Sequence, residues 1–200
     1  MPKAFHLNLA PPRFALWHAY DPASKTDLFS SALQLPDQRL LLIDPIELET
    51  EAEAELLQLG DPAAILLTNE NHWRATSVWM RKFDLPVFAA AHFSEGKTQA
   101  VGELSKSFPD LAAVEVAGAI AGEIALFWPE DGGSLIVGDA LIHFEPYGFT
   151  LLPKKYCQNE KEMRRSLRQL LELRFERLFF AHGLPILRDG SARLGALLNQ

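Results

Sequence analysis

Short apolar runs and amphipathic stretches alternate along this chain. Arg39–Ile43 reads R-L-L-L-I and residues 63–67 read A-A-I-L-L. Both are continuous apolar runs, the pattern of strands covered on both faces. Residues 14–17 predict an earlier strand and residues 86–90 a later one. Between these runs the period changes to that of a helix. Thr50 and Glu53 have the spacing of a capping box, Leu56 and Leu57 give an apolar face, and Gly60 gives a stop. A second helix places Ala75, Val78, Trp79 and Phe83 on one face. The middle of the chain reads as successive strands at 114–116, Ile124–Trp128 and Ser134–Val137. Gly118, Gly122 and the hairpin signal Asp131-Gly132-Gly133 separate them. A long helix over 160–173 carries the stripe Met163, Leu167, Leu170 and Leu171. A strand at 177–181, an extended segment at 185–187 and a last helix over 191–198, capped by Asp189, complete the series.

Strands alternating with helices at both ends, around a run of hairpins, predict an α/β fold of two mixed sheets with helices outside. The chain has 200 residues, 48% hydrophobic and 22% charged. That is enough for a well-buried core, and with no linker-like stretch it predicts a single domain over 1–200. The net charge of −7 argues against a nucleic-acid partner. Lys154, Lys155, Arg164, Arg165, Arg168, Arg174 and Arg177 form a local basic stretch, read as the solvated face of an outer helix. One cysteine, Cys157, allows no internal disulfide and no cysteine-based zinc site. It is read as a structural or exposed thiol, because no base stands beside it. No secretory signal is read in residues 1–16, and no apolar run is long enough for a membrane helix. The expected location is the cytoplasm, with no membrane partner.

Three stretches at predicted strand ends could hold chemistry: residues 68–74, Gly138-Asp139-Ala140 and Ala181-His182-Gly183. Together they resemble the metallo-β-lactamase superfamily, from L-L-L-I-D-P at 40–45 through A-H-G-L-P-I at 181–186. In that family a strand reading I-L-L-T leads into a His-x-His-x-Asp-His loop. Here the strand is Ile65-Leu66-Leu67-Thr68 and the loop is N-E-N-H-W-R, so Asn69, Asn71, Trp73 and Arg74 stand at the ligand positions. The Gly-His-x-x-Gly turn matches Gly118-Ala119-Ile120-Ala121-Gly122, with Ala119 for the histidine. The bridging aspartate matches Asp139 in L-I-V-G-D-A-L, and the final histidine matches His182. The resemblance implies a four-layer αββα sandwich of two mixed β-sheets.

It also implies a metal-dependent hydrolase, yet two ligand positions are kept and five are changed. Zinc takes His, Cys, Asp or Glu donors. Asn69 and Asn71 are poor substitutes, Ala119 and Trp73 offer no lone pair, and Arg74 adds a fixed positive charge where a second cation would sit. No metal cofactor is therefore expected. The predicted role is binding of a polar or anionic small ligand in the remnant cleft lined by Asn69, Asn71, His72, Arg74, Asp139 and His182. Arg74 is expected to pair with Asp139 in the metal's place. The alternative is a hydrolase of esters, thioesters or phosphoesters with one zinc or iron ion on His72, Asp139 and His182, Glu70 being a further donor. Asp139, His182 and His72 are also the candidates for metal-free acid–base catalysis. His6, His18, His92 and His143 are read as structural. A homodimer would be indicated if Trp17, Trp79 or Phe149 were exposed.

Overall fold

The computed structural model describes residues 1–200 except 11, 91, 92, 94, 146 and 147, so the expectation for His92 lies outside the described residues. The chain packs as two compact units. Met1–Leu67 and Asn71–Gln99 form the first, and Thr68–Glu70 and Ala100–Gln200 form the second. Each is built on a mixed β-sheet with helices, in agreement with the α/β expectation. Among the described residues no helix is long and apolar enough to cross a membrane.

The first unit contains β1 (Lys3–Ala4), β2 (Asn8–Ala10), β3 (Phe14–Asp21), β4 (Thr26–Gln34), β5 (Arg39–Ile43), β6 (Glu47–Leu48), α1 (Thr50–Leu59), β7 (Asp61–Leu66), α2 (Thr76–Phe83) and β8 (Val87–Ala89). Its sheet runs β2-β3-β4-β5-β7-β8 and ends on β9 (Gln99–Ala100), within which the division between the units falls. The first pairings are antiparallel, and β5/β7 and β7/β8 are parallel. Leu40, Leu41, Leu42 and Ile43 are all buried, as an interior strand requires. Each such side chain contributes roughly 1.5–3 kcal/mol by leaving water. Leu40 and Leu42 pack with Ile65, Trp17, Leu56 and Trp79 in one core. The indole nitrogens of Trp17 and Trp79 both donate to the Ile46 carbonyl, at 3.0 and 3.1 Å. Both tryptophans are therefore core residues, which corrects their place as candidates for an exposed dimer surface.

The capping box is also corrected. The N-cap is Glu49, without a side-chain bond, and Thr50 is already helical. The Glu49 amide donates to the Ala4 carbonyl, holding Glu49 extended next to the β1/β6 pair, and the Glu53 carboxylate turns to Lys82. Strand β4 was missed because D-L-F-S-S-A-L shows neither alternation nor a continuous apolar run. Its serines are nevertheless buried, Ser30 because its hydroxyl donates to the Asp44 carbonyl.

The second unit contains α3 (Leu104–Ser107), β10 (Ala112–Glu115), β11 (Ile124–Trp128), β12 (Ser134–Val137), β13 (Leu141–Phe144), β14 (Gly148–Leu151), α4 (Glu160–Gln169), β15 (Arg177–Phe180) and α5 (Gly190–Leu198). Its sheet runs β10-β11-β12-β15, antiparallel until the parallel β12/β15 pair. The Asp131-Gly132-Gly133 turn does join an antiparallel pair. The β13/β14 hairpin was not foreseen. Helix α4 buries Met163 and Leu167 and then tightens into a 3-10 turn at Leu170–Glu172, so it is shorter than the stripe predicted. Asn159 caps it through Oδ1, which accepts from the Glu162 amide at 3.2 Å. Its charged face carries the Arg164–Glu160 and Arg165–Glu162 pairs, in line with a solvated basic stretch. Asp189 stands at the N-cap of α5 but its carboxylate does not cap. Its φ is 58°, and the helix start is tied down by Gly190 and Ser191 amides donating to Glu176 and Phe175 carbonyls.

Candidate functional site

In the second unit, the chain leaving β7 is stitched to the Gly118–Gly122 turn. The Thr68 carbonyl accepts from the Ile124 amide at 2.8 Å, and the Glu70 amide donates to the Ala121 carbonyl at 3.1 Å. The turn itself sits on the start of α4. Gly118 has φ +88°, and a Cβ there would fall 2.4 Å from the Asn159 carbonyl, so no side chain fits. This brings Asn69 into a buried polar cluster. Its Nδ2 donates to Glu123 Oε2 at 2.7 Å and to Asp139 Oδ2 at 3.1 Å. The amide orientation follows from chemistry, since turning its oxygen to two carboxylates would set acceptor against acceptor.

Glu123 is held at its other oxygen, where Oε1 accepts from the Ala140 amide at 2.9 Å. Gly138 makes this close approach possible. A Cβ there would lie 2.6 Å from Thr68 Oγ1 and 2.8 Å from Glu123 Oε1. Asp139 follows directly at the end of β12, and its Oδ1 lies 3.2 Å from His182 Nε2. His182 follows β15, and its carbonyl accepts from the His143 amide at 3.0 Å. The sequence comparison thus named three members of this cluster, Asn69, Asp139 and His182. It missed Glu123, which is 1% exposed. The available signal was an acidic residue directly before the apolar strand I-A-L-F-W.

In the first unit, His72 Nδ1 lies 2.9 Å from Asp44 Oδ2, and both side chains are almost fully buried. From the sequence, Asp44 stood out only as part of L-L-L-I-D-P at 40–45. Arg74, at φ 43°, donates through Nη1 to the carbonyls of Phe29 and of Asp44. Trp73 is buried, with Nε1 donating to Ser77 Oγ at 2.9 Å and its ring 5.1 Å from that of Phe93. Asn71 and Glu70 are exposed.

His143, His18 and Cys157 each contact neighbouring rings or carbonyls. His143 Nδ1 lies 2.7 Å from the Leu184 carbonyl and its ring meets Phe149 and Phe180 edge-on. His18 stacks on Phe29 at 4.6 Å. Cys157 contacts the Leu152 carbonyl, and burial, reinforced by Glu160, pushes its thiol pKa up. A raised pKa disfavours the thiolate, which suits a structural thiol.

The donor set does not fit a pair of metal ions. Asn69 presents hydrogens rather than a lone pair to Asp139, Ala119 is fully buried with no donor, Trp73 is used in packing, and the Arg74 guanidinium is cationic. Asp139 and His182 remain as two suitable donors, which on chemistry alone fit part of a single-metal site.

No curated protein is similar enough to count as a relative. Solved structures share the fold. A metallo-beta-lactamase from Pontibacter korlensis is 12% identical, covers 98% of this chain and 99% of its own, and has a TM-score of 0.67. An archaeal metallo-beta-lactamase superfamily protein from Sulfolobus tokodaii is 13% identical, covers 98% and 86%, and has a TM-score of 0.64. The chemotaxis sensor ODP, solved as a peroxy diiron species, is 11% identical, covers 97% and 94%, and has a TM-score of 0.66. A model of the metallo-beta-lactamase superfamily matches residues 7–200, and with that match the changed loop, the Gly-Asp-Ala turn and the Ala-His-Gly turn fall into place: this chain belongs to the metallo-beta-lactamase superfamily.

Proposed function

We propose that this chain keeps the superfamily framework without a dinuclear centre and binds a small polar or anionic ligand through residues at and beside the old ligand positions. These are Asn69, Asn71, His72, Arg74, Asp139 and His182. The observation that supports this best is the Asn69 amide, which places its two hydrogens on Glu123 and Asp139. A metal needs a lone pair at that position. An amide bridging two carboxylates satisfies buried acceptors that would otherwise be costly. Arg74 in place of a ligand supports the same reading, because a fixed cation disfavours a second one nearby.

The test is the metal content of protein purified without a metal-affinity column, measured again after incubation with zinc and with iron(II). Far less than one ion per chain is expected in each case. A thermal-shift panel of small polar and anionic compounds then searches for the ligand. A compound at about 100 times its Kd adds about 2.7 kcal/mol of stability. That shift is expected to vanish in His182→Ala.

A second reading is a metal-dependent hydrolase with one zinc or iron ion on His72, Asp139 and His182. Two observations favour it: Asp139 and His182 lie side by side, and His72 is oriented by a carboxylate as metal-binding histidines commonly are. A metal there would supply an activated water. About one tightly held ion per chain would establish this reading and sink the first.

A further inference from the structure

We infer that Glu123 is a positioning residue whose two carboxylate oxygens fix the Asn69 amide and the residue after Asp139 together, so that Asn69 has no amide hydrogen left for an anionic ligand. The inference rests on the reading above, in which Asn69 and Asp139 meet a ligand, and adds a residue that neither the family's ligand positions nor the sequence comparison assigns.

The geometry begins with backbone. Glu123 follows the Gly118–Gly122 turn and comes directly before β11. Its amide donates to the Ile120 carbonyl at 3.2 Å, and its carbonyl accepts from the Val116 amide at 2.9 Å. The next amide, of Ile124, donates to the Thr68 carbonyl at 2.8 Å. The residue before Asn69 is therefore tied to the residue after Glu123, which sets the two side chains against each other. The Glu123 carboxylate is also walled in. The residue is 1% exposed, and a Cβ at Gly138 would lie 2.8 Å from its Oε1.

Burying a carboxylate costs far more than burying a glutamine amide of the same size. The neighbours of Glu123 supply the reason for it. Oε1 accepts from the Ala140 amide at 2.9 Å, and Oε2 accepts from Asn69 Nδ2 at 2.7 Å. Both neighbours are donors, one on each oxygen. A glutamine has one accepting end and one donating end, so it could serve only one of them. The Ala140 N–H belongs to the main chain and cannot turn, whereas the Asn69 amide can. Glu123 thus holds the Asn69 amide with one hydrogen on its own carboxylate and the other on Asp139 Oδ2, at 3.1 Å. With both hydrogens taken, Asn69 has none for an anion, and the two carboxylates beside it repel one. The part of a ligand that meets Asn69 and Asp139 is therefore neutral or a hydrogen-bond donor.

Solvent exchange in proton–nitrogen spectra of the full chain, selected for side-chain NH2 groups, reads the Asn69 amide, and Asn69→Ser assigns its signals. The Asn69 pair is expected to exchange at least about tenfold more slowly than that of the exposed Asn199, as bonds to carboxylates require. In Glu123→Gln the Asn69 pair should exchange about tenfold faster, while the main-chain amides of Ala140 and of Leu126 in β11 keep their rates. A purely structural Glu123 would speed Leu126 and Asn69 together, or neither. A wild-type Asn69 pair as fast as that of Asn199 overturns the inference. So does a folded Glu123→Gln in which the Asn69 pair stays slow, or in which Leu126 speeds up equally. If that variant does not fold, the coupling across the hydrogen bond from Asn69 Nδ2 to the Glu123 carboxylate carbon decides in the wild type: a resolved coupling supports the inference and its absence overturns it. A thermal-shift panel without any stabilising compound would sink the proposed function while leaving the amide orientation standing, so the two failures are read separately.

Discussion

In the second unit the polar side chains near the family's ligand positions bond to one another, whereas in the first they bond to β4 and to the residue that follows β5. Asn69, Glu123, Asp139 and His182 form one chain of side-chain contacts. Arg74 instead reaches main-chain carbonyls of Phe29 and Asp44, and His72 reaches the one carboxylate that those carbonyls help to hold. The difference shows two ways of holding polar side chains near those positions. A side-chain network bridges two buried carboxylates with a neutral amide and sets an imidazole beside one of them. A cation on backbone carbonyls stabilises a loop without adding any titratable group to it.

The largest expected effect breaks the second unit's network. Glu123→Ala leaves the Asn69 amide and the Ala140 N–H short of an acceptor and should lose about 3 kcal/mol. A urea midpoint that falls with an unchanged slope would confirm it. Next comes Arg74→Ala, which uncovers two carbonyls in the first unit and should cost about 2 kcal/mol by the same measurement. A cost for Arg74→Ala above that of Glu123→Ala would reverse the comparison. Asn159→Ala, which removes the α4 cap on which the Gly118 turn rests, should cost about 1 kcal/mol in thermal or urea unfolding. The smallest effect is chemical. Because burial raises the Cys157 pKa, less thiolate is present at mildly alkaline pH, and iodoacetamide should label the native chain more slowly than the urea-unfolded chain. Equal rates would show that the thiol is not protected.

Much of the frame was legible because the apolar runs are unambiguous. R-L-L-L-I, I-A-L-F-W and S-L-I-V became strands with the bounds expected, since a continuous apolar run has few ways to hide from water. Strand β4 was illegible because it buries two serines, Ser30 through specific bonds that hydropathy does not register. The caps expected at Thr50 and Asp189 failed for a related reason. In both cases tertiary bonds of the backbone at the helix start decided where the helix began. At the site, Asp139 and His182 were found through their glycine-flanked contexts. Glu123 and Asp44 were not, because an isolated acidic residue at a strand end looks the same whether it faces water or a buried partner.

The sequence by itself determined the α/β class, the family and the residue types that stand at the family's ligand positions, because each is written in residue identity and local period. Only the tertiary structure decided that Trp17 and Trp79 are core, that Asn69 bridges Glu123 to Asp139, and that Asp44 holds His72. These pairings join residues far apart in the chain, and a hydrogen bond depends on distance and direction, which residue type alone does not specify.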